Sequence, residues 1–229
     1  MSFFNIAIDG PAGAGKSSVA KAVAKELGGN YLDTGAMYRA VGLYMLRCAV
    51  DINDMDMVAA RCHEPEIDVR YENGAQVTVL CTEDVSKEIR EEQCAKASSA
   101  VSRVPQVRER LVALQQQIAK GTNLVMDGRD IGTHVLPDAD VKIFLTASPE
   151  ARARRRTQEL ADKGMPDTYE NVLADMLRRD EQDRSRDVAP AIAAPDAVHF
   201  DNSYDGFDEA VEAMLAVIRE GLSKKGKEI

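Results

Sequence analysis

Apolar and polar positions change period several times along the chain, and those changes mark out its elements. Phe3–Ile8 is a short apolar run ending at Asp9-Gly10, which predicts a buried strand. Helical spacing follows, with Val19, Ala20, Val23, Ala24 and Leu27 on one face until Gly28-Gly29 stops them. Asn30–Leu32 predicts a second strand leading into Asp33-Thr34-Gly35. From Ala36 to about Cys48 a second helix is expected, with Met37, Val41 and Tyr44 on one stripe. Asn53 or Asp54 caps a short helix that ends before Pro65.

The period then drops to two. Ile67–Tyr71 and Gln76–Leu80 flank Asn73-Gly74, the strongest short hairpin signal, so a small antiparallel unit is expected from roughly 66 to 95. Two helices should follow, the second running from Pro105 to Gly121. Asn123–Met126 and Val141–Thr146 predict two more buried strands, Ser148-Pro149-Glu150 opens a helix, and Asp167-x-x-Glu170 has the form of a capping box for the next. Ala197–Phe200 is expected as a last strand and Gly206–Glu220 as a last helix, with a frayed Lys-rich tail from Ser223. Strands alternating with helices give an α/β fold, a parallel sheet of about five strands covered on both faces. The hairpin region breaks that alternation and is expected to be an insertion. The domain reading is therefore a core of residues 1–62 and 96–229, with 63–95 inserted.

Composition narrows the classes. The 229 residues suit one large domain, or one domain with an insertion. There are 38 acidic against 29 basic side chains, a net charge of −9, whereas a general nucleic-acid binder carries a positive footprint. No nucleic-acid partner is expected, and any phosphate recognition must be local. Cys48, Cys62, Cys81 and Cys94 form no C-x-x-C pair, and Cys62-His63 lacks further ligands at usable spacing, so no zinc or redox dithiol site is expected. The N-terminus has no basic segment followed by a long apolar one, and no run approaches the roughly 20 apolar residues of a membrane span. A soluble, cytoplasmic protein with no membrane partner is expected.

The strongest chemical signal is Gly10-Pro11-Ala12-Gly13-Ala14-Gly15-Lys16-Ser17, which matches G-x-x-x-x-G-K-[ST] at every fixed position, between a predicted strand and a predicted helix. The glycines let successive N–H groups point inward as an anion nest at a positive helix end. Lys16 supplies a mobile charge to the β/γ-phosphates, and the Ser17 hydroxyl can ligate Mg²⁺. No Asn-Lys-x-Asp guanine-reading segment occurs, so phosphate transfer to a small acceptor leads over a GTPase switch.

Arginine usage agrees. Between Arg152 and Arg186 there are eight arginines and one lysine, against ten of each elsewhere. Eight acids are interspersed, so the stretch is no patch for long polyanions; beside a phosphate loop it reads as an arginine lid, approximately residues 152–186. Arg179, Asp183 and Arg186 are spaced i, i+4, i+7, and on a helix would share one face. Thr34 follows the second strand, where a parallel sheet presents ligand loops, although it would also serve as an ordinary helix cap. Asp127, in Asp127-Gly128-Arg129-Asp130, ends a strand like a carboxylate that holds magnesium through water; an Asp-Gly turn is the plain alternative.

Taken together, these residues resemble the bacterial cytidylate kinases over nearly the whole chain. The specific segments are DTGAMYR (33–39), TEDVSKEIR (82–90), VPQVR (104–108), DGRDIGT (127–133) and DRSRDVAP (183–190). The resemblance implies a P-loop kinase core with a small inserted monophosphate-binding part, and transfer of the ATP γ-phosphate to CMP or dCMP. It implies ATP held by residues Gly10 to Ser18, with Mg²⁺ on Ser17 and, through water, on Asp127. Thr34, Arg39 and Arg129 would hold the acceptor phosphate; Ser99, Arg108, Asp130 and Arg186 would surround cytosine; Arg179 and Asp183 would contact the ribose. Lys16, Arg129, Arg179 and the lid residues Arg152 and Arg156 would carry catalysis, the Arg154–Arg156 run leaving the lid register open. Where many relatives have glycine after the loop lysine, this chain has Ser17, which keeps a hydroxyl for magnesium. The implied protein is a monomer whose partners are small molecules. A relative acting on UMP or AMP, and a non-enzymatic nucleotide switch, are the competing readings.

Overall fold

Three short apolar runs, Asn5–Asp9, Leu124–Gly128 and Val141–Thr146, become the centre of the main sheet, and the more polar Asn30–Asp33 and Val198–Asp201 become its edges. The computed structural model describes residues 3–186, 188–203 and 206–227. Its elements are β1 (Asn5–Asp9), α1 (Lys16–Glu26), β2 (Asn30–Asp33), α2 (Thr34–Arg47), α3 (Met55–Arg61), β3 (Ile67–Glu72), β4 (Ala75–Leu80), β5 (Glu83–Asp84), α4 (Glu92–Val101), α5 (Pro105–Ala119), β6 (Leu124–Gly128), β7 (Val141–Thr146), α6 (Pro149–Asp162), α7 (Tyr169–Arg184), β8 (Val198–Asp201) and α8 (Phe207–Lys224). The chain forms two units, Met1–Gly29 with Asn123–Ile229, and Asn30–Thr122.

The sheet order is β2-β6-β1-β7-β8, with β1 parallel to β6 and β7, and β7 parallel to β8. Ile6, Ala7 and Ile8 of β1 and Leu124, Val125 and Met126 of β6 are fully buried, as expected of parallel strands covered on both faces. The register sets Ile8 against Asp127 and Asp9 against Gly128. The carboxyl ends of β1 and β6 therefore lie side by side, where an open α/β sheet places its ligand crevice.

In the unit Asn30–Thr122, α2 is the centre. Ala36, Ala40 and Leu43 pack with Leu80, Val85, Ile89 and Cys94. The hairpin β3–β4 turns through Asn73 (φ 52) and Gly74 (φ 77), the left-handed pair that an Asn-Gly turn supplies. Helices α2 and α4 approach closely at Gly42, where an added Cβ would lie 2.8 Å from the Ala97 Cβ and 3.1 Å from Ser98 N. Gly42→Ala should lower stability by about 1–3 kcal/mol through overpacking, read as an earlier denaturation midpoint. An unmoved midpoint would mean that the helix pair can part without cost.

Several local expectations are corrected. Thr168, not Asp167, caps α7, its hydroxyl accepting from Asn171 N; Asp167 instead accepts from the Asn171 side chain. Helix α8 passes Glu220 to Lys224, and the expected frayed tail is tied back, with Lys227 Nζ on Asp140 at 2.7 Å. Short β5 and the π-type turn Ile131–Val135 have no counterpart in the sequence reading. Asp187 of the 183–190 segment and tail residues Glu228 and Ile229 lie outside the described residues.

Candidate active site

The loop after β1 turns at Gly10 (φ 147), where a Cβ would fall 1.9 Å from the Leu145 carbonyl oxygen; only glycine fits. Gly13 (φ 75) and Gly15 (φ 92) are left-handed, and Lys16 begins α1. A helix N-terminus behind a glycine-rich turn is an anion site. Lys16 is buried, and its Nζ donates to the Pro11 carbonyl at 2.7 Å. Burial pulls its pKa down to about 7, Arg129 adding to the effect while Asp127 and Asp9 oppose it. Ser17 and Ser18 are exposed at the helix start. Ser17 Oγ donates to Asp127 Oδ2 at 2.8 Å, setting a hydroxyl and a carboxylate side by side. Both are hard oxygen ligands of the type magnesium takes.

Asp127 leads directly into Arg129 and Asp130. Arg129 Nε donates to Asp183 Oδ2 at 3.0 Å. Burial alone would raise the Asp183 pKa, but Arg129, Arg186 and Arg179 together hold it below the ordinary carboxylate value. Three candidate arginines thus surround one buried carboxylate. The single helical face expected for Arg179, Asp183 and Arg186 is not the means: α7 stops at Arg184, and Arg186 folds back so that its Nε donates to the Asp183 carbonyl at 3.1 Å.

Asp130 is buried, and its carbonyl accepts from His134 N and Val135 N. The turn behind it is clamped by Asp9, whose two oxygens accept from Ile131 N at 2.8 Å and Gly132 N at 2.7 Å. Burial pushes the Asp9 carboxyl up to about 6, although these two N–H groups oppose the shift. The sequence reading did not single out Asp9; its place beside the loop was visible, but its partners 122 and 123 residues away were not.

Helices α6 and α7 pack through their own small core of Ala153, Leu160, Val172 and Met176. The two expected lid arginines differ sharply. Arg152 is 3% exposed and braces the phosphate loop, donating to the carbonyls of Ala147 (3.0 Å) and Ala12 (2.9 Å) and pairing with Asp180 at 2.7 Å. Arg156 is half-buried and pairs with Glu159 one turn on.

In the other unit, Thr34 is the first residue of α2 and does not cap it. Asp33 is the cap, with Oδ1 accepting from Ala36 N at 2.9 Å. Arg90 pairs with the same carboxylate at 2.8 Å, Arg39 lies 3.8 Å from it, and the Gln76 amide oxygen accepts from Asp33 N. Burial would raise the Asp33 pKa, but Arg90 and Arg39 hold it below the ordinary value. Its contribution to stability is therefore present above the ordinary carboxylate range and lost as pH falls through the depressed value. Asp33 thus places Arg39 and the start of α2 together. Arg108 is buried on α5, its guanidinium carbon 5.9 Å over the Tyr38 ring, and Ser99 is half-buried on α4. Arg90, Gln76 and Tyr38 join the candidates; Arg90 and Tyr38 stood inside recognised segments, yet nothing local gave them a partner.

A family model described as cytidylate kinase matches residues 6–220. A cytidylate kinase from Mycolicibacterium paratuberculosis is 50% identical over 216 residues, spanning 94% of this chain and 95% of that protein. Another, from Caldicellulosiruptor bescii, is 44% identical over 215 residues with the same coverage of both chains. A crystal structure of an uncharacterized protein from Eubacterium ventriosum has a TM-score of 0.51 at 12% identity, spanning 94% of this chain and 98% of that one, a likeness of fold alone. The matched span takes in the phosphate loop, Asp127 to Asp130 and the arginines around Asp183, and on that extent and identity the chain belongs to the cytidylate kinase family.

Proposed function

We propose that this chain transfers the γ-phosphate of ATP to CMP and dCMP, giving CDP or dCDP and ADP. The observation that carries the reading is the Ser17–Asp127 pair at the mouth of a lysine-bearing phosphate loop, in a chain that matches the family from residue 6 to 220. In the transfer, an oxygen of the CMP phosphate attacks the γ-phosphorus, the bond to the bridging oxygen breaks, and ADP leaves with that electron pair. The attacking oxygen is already ionised, so no general base is required. Catalysis is then positioning and charge neutralisation.

The roles are those that the family resemblance implies, residue by residue. Residues Gly10 to Ser18 hold the ATP phosphates, with Lys16 neutralising charge that develops between the β- and γ-phosphates. Ser17 and, through water, Asp127 would hold a magnesium ion entering with ATP, which would supply charge to neutralise the phosphate oxygens. Thr34, Arg39 and Arg129 hold the acceptor phosphate. Ser99, Arg108, Asp130 and Arg186 surround cytosine, where a carboxylate suits the N4 amino group and arginines suit N3 and O2. Arg179 and Asp183 contact the ribose, Asp183 meanwhile accepting from Arg129 Nε at 3.0 Å and so fixing where that arginine points. Arg152 acts from behind the loop, and Arg156 is the outer arginine of a lid over 152–186. We read residues 63–95 as the inserted part of the monophosphate-binding domain in a P-loop core of 1–62 and 96–229. The enzyme is inferred to act as a cytoplasmic monomer without nucleic-acid or membrane partners. A charge of −9 weighs against a nucleic-acid partner, and among the described residues no helix is long and apolar enough to cross a membrane.

The depressed Lys16 pKa has a measurable consequence. At pH 8.5 the empty protein holds Lys16 mostly neutral, and bound triphosphate favours the ammonium, so ATP binding takes up about one proton there and less near pH 6. Titration calorimetry in two buffers of different ionisation heat reads this directly. A binding enthalpy independent of buffer at pH 8.5 would contradict it. The reading as a whole is tested by an ADP-release assay over a panel of nucleoside monophosphates. Turnover is expected with CMP and dCMP; a preference for UMP or AMP, or binding of ATP with no acceptor used, would overturn it.

A further inference from the structure

A nest that turns its N–H groups toward a phosphate turns the carbonyls of the same peptide units outward, and each of those then seeks a donor. Among the described residues, three loop carbonyls are met by side chains. Lys16 Nζ donates to Pro11 O at 2.7 Å, Arg152 Nη1 to Ala12 O at 2.9 Å, and Asn202 Nδ2 to Ala14 O at 3.0 Å. The first is the catalytic lysine, which leaves Pro11 when it turns to a triphosphate. Arg152 is already placed behind the loop, bound to Ala147 and Asp180 as well. Asn202 belongs to neither group and has no role in the activity as described so far.

Asn202 is held on both sides. Its backbone N–H donates to the Thr146 carbonyl at 2.8 Å, its own carbonyl accepts from Arg155 Nη2 at 2.6 Å, and it is 7% exposed. The bond it makes bears on one peptide unit. The Ala14 carbonyl and the Gly15 N–H belong to the same plane and point in opposite directions, so fixing one fixes the other. Backbone sterics do not hold that plane, because Gly15 (φ 92) tolerates either orientation. A Cβ at residue 15 would stand 2.8 Å from Asn202 Nδ2, so the amide is packed directly against the glycine it steadies.

We propose that Asn202 is a positioning residue of the triphosphate site, holding the 14–15 peptide in the orientation that aims the Gly15 N–H at the phosphates before ATP arrives. This rests on the phosphate loop being the ATP site. Asn202 touches no substrate; it acts by preorganisation, sparing bound ATP the ordering of a flippable peptide.

Two variants of the full-length protein test it. Asn202→Leu keeps the side-chain shape and removes the donor; Asn202→Asp keeps the shape and replaces the donor with an acceptor. Dissociation constants are measured for ATP, for inorganic triphosphate as a probe without a base, and for CMP, with wild type in parallel from pH 5.5 to 8. With Asn202→Leu, ATP and triphosphate should each bind about tenfold more weakly, equivalent to about 1.4 kcal/mol, while CMP stays within about twofold of wild type. With Asn202→Asp the loss at pH 8 should be at least as large. Toward pH 5.5 it should shrink below that of Asn202→Leu, because a protonated carboxyl can donate to Ala14 O and leucine cannot. Triphosphate constants within twofold of wild type in both variants would overturn the proposal, as would equal weakening of CMP and triphosphate. Should Asn202→Leu not fold, the pH course of Asn202→Asp decides: recovery supports the donor role and a flat loss refutes it. A wild-type protein that binds no triphosphate would instead fail the phosphate-loop reading, and this inference with it.

Discussion

Replacing Lys16 with alanine should slow phosphoryl transfer by about 10²–10³-fold, the loss that follows removal of one preorganised electrostatic partner of the transition state. The structure strengthens that expectation. Lys16 is 5% exposed at the first position of α1, and in a water-poor setting its charge acts on the phosphates with little screening. The only hydrogen-bond partner described for Nζ is Pro11 O, so alanine releases one carbonyl and, among the described residues, breaks no close ion pair. Thermal unfolding should therefore move little, and CMP affinity should stay within a few-fold of wild type. A Lys16→Ala protein with near-native turnover would remove the phosphate loop from the mechanism.

The second large effect is on choice of base. Asp130→Asn should lower the CMP-to-UMP ratio of kcat/KM by at least about tenfold, or ~1.4 kcal/mol. A carboxylate only accepts, so it meets the N4 amino group of cytosine with a charge-assisted bond and meets the O4 of uracil with a second acceptor. An asparagine can turn its NH₂ toward O4. Rigidity makes the difference count: Asp130 is 6% exposed, its carbonyl is bonded to His134 N and Val135 N, and the two following N–H groups are clamped by Asp9. A backbone so anchored would leave the carboxylate little room to withdraw from a mismatched base. Most of the fall should come from poorer use of CMP. If Asp130 only braced the turn, both acceptors would suffer alike, and an unchanged ratio would assign it that role.

Much of this site was legible because its signals are local. The loop residues Gly10 to Ser17 carry their own turn chemistry, and the flanking strand and helix obey simple periods. Strand β7 falls on Val141–Thr146 as the apolar run required, and Asn73-Gly74 forced the β3–β4 register. What stayed hidden depends on tertiary contact. Asp33 rather than Thr34 caps α2 because Arg90 and Gln76 hold that carboxylate and its N–H from the β4–α4 stretch, 57 and 43 residues away. Periodicity placed Arg186 on a helix that had already ended; its contact with Asp183 is made by a chain reversal that no period encodes. Arg152 read as a mobile lid residue, yet its donors close on Ala12 and Ala147 and its charge on Asp180. Asn202 lies 188 residues from the carbonyl it bonds, in a short polar segment with no motif around it.

Direct transfer moves one phosphoryl group from ATP to CMP, and a label on that group follows it. ATP labelled with ³²P at the γ-position is mixed with CMP and excess enzyme, quenched over a single turnover, and the products are separated. The label should appear in the β-phosphate of CDP, one CDP for each ADP formed, with none left on the protein and none released as inorganic phosphate before CDP. Label recovered as inorganic phosphate while CMP stays unchanged, or label retained on the quenched protein, would contradict the account.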